Sequence, residues 1–309
     1  MEKYVNIALI ILPILFAAGL GILARVKKIM TKDQIEGLQN FVIRIGVPCM
    51  LFNSCLTGEI SGQSLGTMVI IIAFALAAAL LSFRLNKKLL PYHNLPLLSC
   101  GKETGMLGIP LTIVLFGATQ AYRMGVLDLA QGFIGIPVMS ILSANTGSEA
   151  SIGKLFKKVL TAPMLVFSLL GLALNLLGIR QMLADASLLP LITETTLFVG
   201  EPISALMLFC VGYNFSLTKE DRGAVFRVSG AHVAMHACFA GLAQLVLCLF
   251  PNVDPLTRWV IVLYYALPGS YLAPALGRTE TERTVISSAC SLLTIFTLIV
   301  FCVMAVIFA

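Results

Sequence analysis

Residues 100–110 read CGKETGMLGIP and lie between the apolar runs LPLLS and LTIVLFG. Lys102 and Glu103 stand side by side there, with Thr104, Gly105 and Pro110 following. An ionised side chain deep in a bilayer costs at least about 2.5–3.5 kcal/mol, so each must face a partner, water or cargo. Glu103 is therefore expected either to titrate or to coordinate a cation during the protein's work. Lys102 has two other readings. Adjacent helical residues point about 100° apart, so it pairs with Glu103 only if the chain unwinds here. Alternatively its stem carries the ammonium back to the inner surface.

Other polar side chains interrupt the apolar sequence. Asp128 and Gln131 are three residues apart and share a helix face; an Arg123 partner at the span end is the alternative for Asp128. Glu201 precedes Pro202, and Asn53 follows Pro48 by five residues; both are candidate cavity residues. Arg44 follows the amphipathic stretch DQIEGLQNF and either binds an anion or reaches the headgroups. His232 and His236 have the H-x-x-x-H spacing of zinc ligands, but the Glu of a protease motif is absent and no third ligand is evident. Packing histidines are the favoured reading, and no metal is expected. No G-x-x-x-x-G-K-[ST] loop and no nucleophile–base set occurs, so the chain is read as neither ATP-driven nor an enzyme, and as needing no cofactor.

The elements that must position these groups are membrane helices. Of 309 residues 58% are hydrophobic and 12% charged, with a mean hydropathy of +0.95; soluble domains carry about 25% charged residues. The stretches 4–24, 65–83, 159–179, 228–253 and 284–309 contain no Asp, Glu, Lys or Arg. Each is long enough to cross about 30 Å of hydrocarbon as a helix, which excludes a β-barrel. The basic cluster RVKK follows the first apolar run instead of preceding it, so this run reads as a retained span, not a signal peptide. Eight cysteines are scattered through apolar segments with no C-x-x-C pair, as small helix-packing residues.

Ten spans are predicted, near 5–24, 38–57, 65–84, 95–119, 123–145, 159–178, 189–213, 228–250, 256–277 and 284–308. With the N-terminus outside, 15 basic residues fall in inside loops and four in outside ones. The alternation holds along the whole chain, as the positive-inside rule requires. Both termini are thus expected outside, and the net charge of +6 is a topology signal, not one for nucleic acid.

Five spans precede the basic loop at 154–158 and five follow it, which predicts two repeats, 1–150 and 151–309, inserted in opposite senses. Pro13 matches Pro163, Pro48 matches Pro202, and Pro110 matches Pro268, at offsets of 150, 154 and 158; Pro137 has no partner. Spans 4 and 9 both mix glycine with proline near mid-membrane. Unwound backbone at that depth survives only inside protein or beside water, and paired breaks mark transporter binding sites.

These segments also resemble a family. LFAAGLGILARVKKIMTKDQIEGLQNFVIRIGVPCMLF is similar to the opening of the auxin efflux carrier family, CGKETGMLGIPLTIVLFG to its fourth span and ALPGSYLAPALGR to its ninth. The resemblance implies ten helices in two inverted five-helix repeats, with broken helices 4 and 9 crossing at Pro110 and Pro268. It implies a scaffold of helices 1, 2, 6 and 7, often dimeric, and a transport domain of helices 3, 4, 5, 8, 9 and 10, in a fold related to bile-acid symporters and sodium/proton antiporters. It places Gln131 close to the substrate path. Glu103 stands where the family has asparagine, and Leu276-Gly277-Arg278 lacks the family's acidic ending.

The reading is an all-α, multi-pass protein of the cytoplasmic membrane that moves a small organic anion by alternating access. Its partners are that small molecule, lipid and a second copy of the chain. The substrate-binding candidates are Glu103, Thr104, Gly105, Pro110, Gln131, Pro268, Gly269, Ser270 and Asn53. Coupling or charge-pair candidates are Glu103, Lys102, Asp128, Glu201 and Arg44, with H+ or Na+ as the coupling ion. The positive ends of the half-helices at the two breaks are expected to receive the carboxylate. The rivals are a sodium- or proton-coupled carrier of the related folds and a non-transporting membrane sensor.

Overall fold

The structure, a computed structural model, describes residues 2–58, 62–89, 94–99, 101–144, 161, 163–216, 221–250, 253–277 and 279–308. The basic loop at 154–158, Cys100 and Arg278 lie outside these. The described residues form fourteen α-helices and no β-strand: α1 (Glu2–Val26), α2 (Lys32–Phe41), α3 (Val47–Thr57), α4 (Gly62–Leu89), α5 (Asn94–Ser99), α6 (Ile109–Phe116), α7 (Ala121–Ala144), α8 (Pro163–Leu176), α9 (Ile179–Asp185), α10 (Leu189–Gly200), α11 (Ile203–Asn214), α12 (Arg222–Cys248), α13 (Pro255–Ala266) and α14 (Glu280–Phe308). Six segments among them are long and apolar enough to cross a membrane: Ile7–Val26, Lys32–Thr57, Val69–Lys87, Leu189–Asn214, Arg222–Cys248 and Glu280–Phe308. The pair α8 and α9 makes a seventh if its 71° bend belongs to one span. The protein is an all-helical, multi-pass membrane protein.

Local sequence explains the helix ends. Thr31 and Gln34 form a capping box at α2, with Gln34 N–H donating to Thr31 Oγ1 (3.3 Å) and Thr31 N–H to Gln34 Oε1 (2.8 Å). Asp254 accepts Leu256 N–H at 3.0 Å and Pro255 opens α13. Pro48 and Pro110 share one solution to the missing proline N–H. Each is the second residue of an α-helix that follows a five-residue π-turn, Val42–Gly46 and Thr104–Gly108 respectively. A π-turn shifts the hydrogen-bond register, so the absent donor breaks no regular ladder.

Packing in lipid depends on close backbone contact, not on expelling water. α1 runs along α11 and α3 along α8. At the first of these contacts a Cβ on Gly212 would stand 1.9 Å from the Ala18 carbonyl oxygen. The outer faces are apolar, with Leu9, Phe16, Leu191, Phe198 and Leu245 well exposed. A larger core cluster gathers α3, α6, α7, α11, α13 and the later part of α14. A smaller one packs α5 against the start of α12 and the early half of α14. Seven cysteines among the described residues are free thiols.

Candidate functional site

The two broken segments meet inside the bundle. α5 ends at Ser99, and Gly101 and Lys102 lead to Glu103, which makes a tight turn (φ −80°, ψ 68°) ahead of the π-turn. α13 ends at Ala266, and Leu267–Ser270 run extended before a four-residue 3-10 turn, Ala273–Leu276. Lys102 and Gly269 form an antiparallel bridge. Glu103 N–H donates to Pro268 O (3.0 Å) and Ser270 N–H to Gly101 O (2.9 Å). The exposed backbone of one break thus satisfies the other, as a low-dielectric setting demands. A Cβ on Gly269 would lie 2.5 Å from Leu98 O, so the close approach requires glycine.

Only Pro268 of the two prolines is at the crossing itself. Pro110 stands further along, buried at the start of α6, because the π-turn intervenes.

Glu103 lies at a turn closed by Thr104 N–H donating to Lys102 O (2.9 Å), and the Lys102 ammonium and the Glu103 carboxylate take separate partners, with no ion pair between them among the described residues. Glu103 turns to main-chain donors: Met106 N–H reaches Oε1 at 3.3 Å and Tyr271 N–H reaches Oε2 at 2.7 Å. Its carboxylate therefore caps the start of the Thr104–Phe116 segment and holds the chain entering the 3-10 turn. This corrects the expectation of two free half-helix N-termini. The first is met by the protein's own carboxylate, and the second opens a 3-10 turn, not an α-helix.

Lys102 is 5% exposed, which excludes a stem reaching the surface. Its Nζ donates to Leu267 O at 3.1 Å and lies 2.8 Å from His232 Nε2. Leu267 follows the last turn of α13, where a cation meets the negative end of the helix dipole.

Asp128 and Gln131 share their α7 face and join the same network. Gln131 Oε1 accepts Lys102 N–H at 2.7 Å and Gln131 Nε2 reaches Lys102 O at 3.0 Å, so one side-chain amide pairs both polar groups of that residue as a neighbouring strand would. Nε2 also lies 3.1 Å from Thr104 Oγ1 and 2.8 Å from Asp128 Oδ1. Thr104 Oγ1 donates to Asp128. Arg123 is bound instead to Asp254, Thr257 and Gln120, which removes it as the Asp128 partner.

The crossing thus brings together Lys102, Glu103, Thr104, Asp128, Gln131, Pro268, Gly269 and Ser270, with half-buried Gly105 as the second residue of the π-turn. It does not gather the rest. Asn53 is buried in α3 outside this network, and Arg44 and Glu201 are exposed on the bundle exterior. Tyr264 and Tyr271 are not among the sequence-based candidates, and His232, which the sequence reads as a packing residue, also belongs to the network. Tyr264 donates to Gln131 Oε1 at 3.1 Å. The Tyr271 hydroxyl meets Thr294 Oγ1 at 2.8 Å. His232 is the neighbour of Lys102. The signal was the Tyr264-Tyr265 pair just before Leu-Pro-Gly, two phenols in an apolar span.

A cavity of about 530 Å³ adjoins the crossing through Tyr271. Its walls include Lys32, Glu36, Ser216, Glu280, Arg283 and Ser287.

Residues 7–152, nearly half of the chain, match the family model described as membrane transport protein. That stretch contains the opening, the first break and α7. The match supports a transporter of the auxin efflux carrier family. Along its length the chain is 23% identical, over 297 residues, to an uncharacterized transporter of Methanothermobacter thermautotrophicus, and the alignment covers 94% of each chain. Both matches are to membrane transport proteins, and in this chain the matched first break crosses the second at a braced polar centre.

Proposed function

We propose that this carrier moves a small organic anion, a carboxylate of auxin-like size, across the cytoplasmic membrane as a secondary transporter. The crossing carries this reading: two Gly/Pro breaks from distant parts of the chain meet in mid-bundle and are held by an antiparallel bridge. Opposite chain directions at the bridge are what inverted repeats, 1–150 and 151–309, require of spans 4 and 9. Ten spans with both termini outside complete the arrangement. Helices 1, 2, 6 and 7 then form the scaffold, a role favoured by the close packing of α1 on α11 and α3 on α8, and their apolar outer faces suit a second copy of the chain. The remaining helices move with the crossing.

The cavity at Tyr271 supports an inward-facing state. Lys32 and Arg283 there are matched in number by Glu36, which lies 3.9 Å from Lys32, and Glu280, while Ser216, Thr284 and Ser287 supply hydroxyls. Because Glu103 already holds the main-chain donors at the crossing, an arriving carboxylate meets the cations and hydroxyls of the vestibule first. Glu103 and Asp128, both at the first break, favour a cation-coupled carrier as the second reading.

The test is flux into proteoliposomes holding the purified chain, with radiolabelled indole-3-acetate, benzoate and C4 dicarboxylates, with and without sodium. Saturable uptake of a carboxylate supports the reading. Strict sodium dependence moves it to the coupled carrier. No flux of any probe with a folded chain favours the sensor.

A further inference from the structure

The crossing leaves one group of buried polar atoms unexplained. Among the described residues, His232 Nδ1, both ring nitrogens of His236, the Tyr265 hydroxyl and the Ser229 hydroxyl are buried without a hydrogen-bond partner. His232 and His236 are 1% and 2% exposed. Ser229, His232 and His236 follow at three and four residues on one face of α12, so they form a line. The His232 and His236 rings are 4.3 Å apart between centroids, and the His236 ring stacks on Tyr265 at 6.0 Å. Each unmet buried polar group costs about 1–3 kcal/mol. Several in one line are not retained for packing.

The line begins at Lys102. That ammonium has no carboxylate partner among the described residues; its neighbours are a carbonyl and an imidazole nitrogen. The 2.8 Å contact between Nζ and Nε2 needs one proton between two basic nitrogens. Either the amine donates to a neutral imidazole, or the imidazole donates to a neutral amine. The other titratable groups nearby are Glu103 at the crossing, Asp128 on α7, Tyr264 and Tyr265 on α13, Tyr271 beyond the second break and Cys290 on α14. Glu103 and Asp128 are engaged with main-chain donors, Thr104 and Gln131. A metal ion is disfavoured here, since Lys102 stands against the imidazole nitrogen that would bind it.

We propose that Lys102, His232 and His236 form a buried proton-exchange site, and that the proton is the coupling ion of this transporter. In the transfer, the N–H bond of Lys102 breaks as a proton passes from Nζ to His232 Nε2. This leaves a neutral amine and an imidazolium. The imidazolium then releases its Nδ1 proton toward His236, which takes it on a free ring nitrogen. Charge and protons balance, and His232 ends as the other neutral tautomer. The role assigned to Glu103 by sequence passes to Lys102, and Glu103 remains the brace of the break. The inference rests on the transporter reading, but its test needs no substrate. Its failure leaves carboxylate flux standing, and absence of flux leaves the histidine result standing.

The chain has three histidines. The experiment is solid-state NMR of the full chain in liposomes, labelled with 15N-histidine in a His93→Gln background, between about pH 5 and pH 9. His236→Gln assigns the two signals. The expected result is a protonation or tautomer change of His232 within that range. In Lys102→Met its midpoint moves by more than about one pH unit, a tenfold change in proton affinity. Lys102→Arg is the control for a purely structural lysine: arginine keeps the charge at the α13 end but cannot release a proton. The proposal expects His232 in Lys102→Arg to hold one neutral form across the range. Two wild-type histidines fixed in one neutral tautomer overturn the proposal, and that spectrum decides alone if neither lysine variant folds. A His232 titration identical in wild type and Lys102→Arg also overturns it.

Discussion

Gly269→Ala tests whether the two breaks meet as described. An added Cβ would stand 2.5 Å from Leu98 O, 2.7 Å from Leu98 Cα and 3.0 Å from Leu98 C. These are backbone atoms, so no side-chain rotation relieves the contact. Bringing the shortest distance to an acceptable one displaces the 268–270 strand by at least about 0.5 Å, an overpacking cost of about 1–3 kcal/mol. The same displacement strains the two backbone bonds of the crossing, Glu103 N–H to Pro268 O at 3.0 Å and Ser270 N–H to Gly101 O at 2.9 Å. Losing one adds about 1 kcal/mol. The sum is about 2–4 kcal/mol of destabilisation. Gly105→Ala is the matched control, because a Cβ there meets nothing within 4 Å. It lies in the π-turn, where alanine is if anything favourable. Thermal and denaturant unfolding of both variants, followed by size-exclusion fluorescence in one detergent, gives the comparison. Equal stability of the two variants would refute the meeting of Gly269 with Leu98.

Gln131→Leu removes the partner of both backbone groups of Lys102 and is expected to cost about 2–6 kcal/mol in the same unfolding assay, from about 1–3 kcal/mol per unmet group. Glu103→Gln keeps one acceptor oxygen but loses the charge; we expect a folded chain whose carboxylate uptake falls by about tenfold or more, since hydrogen bonds to a charged acceptor are worth about 1.5–3 kcal/mol. Uptake equal to wild type would contradict that role. Gly212→Ala places a Cβ 1.9 Å from Ala18 O and should loosen α1 from α11, seen as faster trypsin cleavage in the 27–31 connection. Arg123→Gln breaks the Asp254 ion pair, but Asp254 still caps α13 through Leu256 N–H. With Asp254 partly exposed, the loss in unfolding stability should stay within about 1 kcal/mol.

Membrane class and the transporter family were legible because they depend on summed quantities and on motif order, both present in the sequence. The polar centre was legible in its members: Lys102, Glu103, Asp128 and Gln131 stood out as polar residues in apolar spans. Their partners were not, because partners depend on backbone direction. Lys102 and Glu103 are neighbours in sequence, and the turn at Glu103 between α5 and the π-turn gives them separate partners. Pro110 looked like the crossing point, yet the π-turn moves the break upstream to 101–103. His232 and His236 read as packing residues in the sequence, since nothing in H-x-x-x-H shows that a lysine 130 positions earlier arrives at Nε2. Arg44 and Glu201 looked as polar as the rest but face outward, which depends on the rotation of their helices within the bundle.

The central claim is that the crossing is the centre of a transport site reached in turn from both sides of the membrane. Ser270 is half-buried at the crossing, so Ser270→Cys, with the eight native cysteines replaced by alanine, supplies a probe there. The measurement is its modification by a membrane-impermeant thiol reagent applied separately to each side of oriented proteoliposomes. The account predicts labelling from both sides, with a transported carboxylate slowing both. Labelling from one side alone, or none from either side in a folded chain, would contradict it.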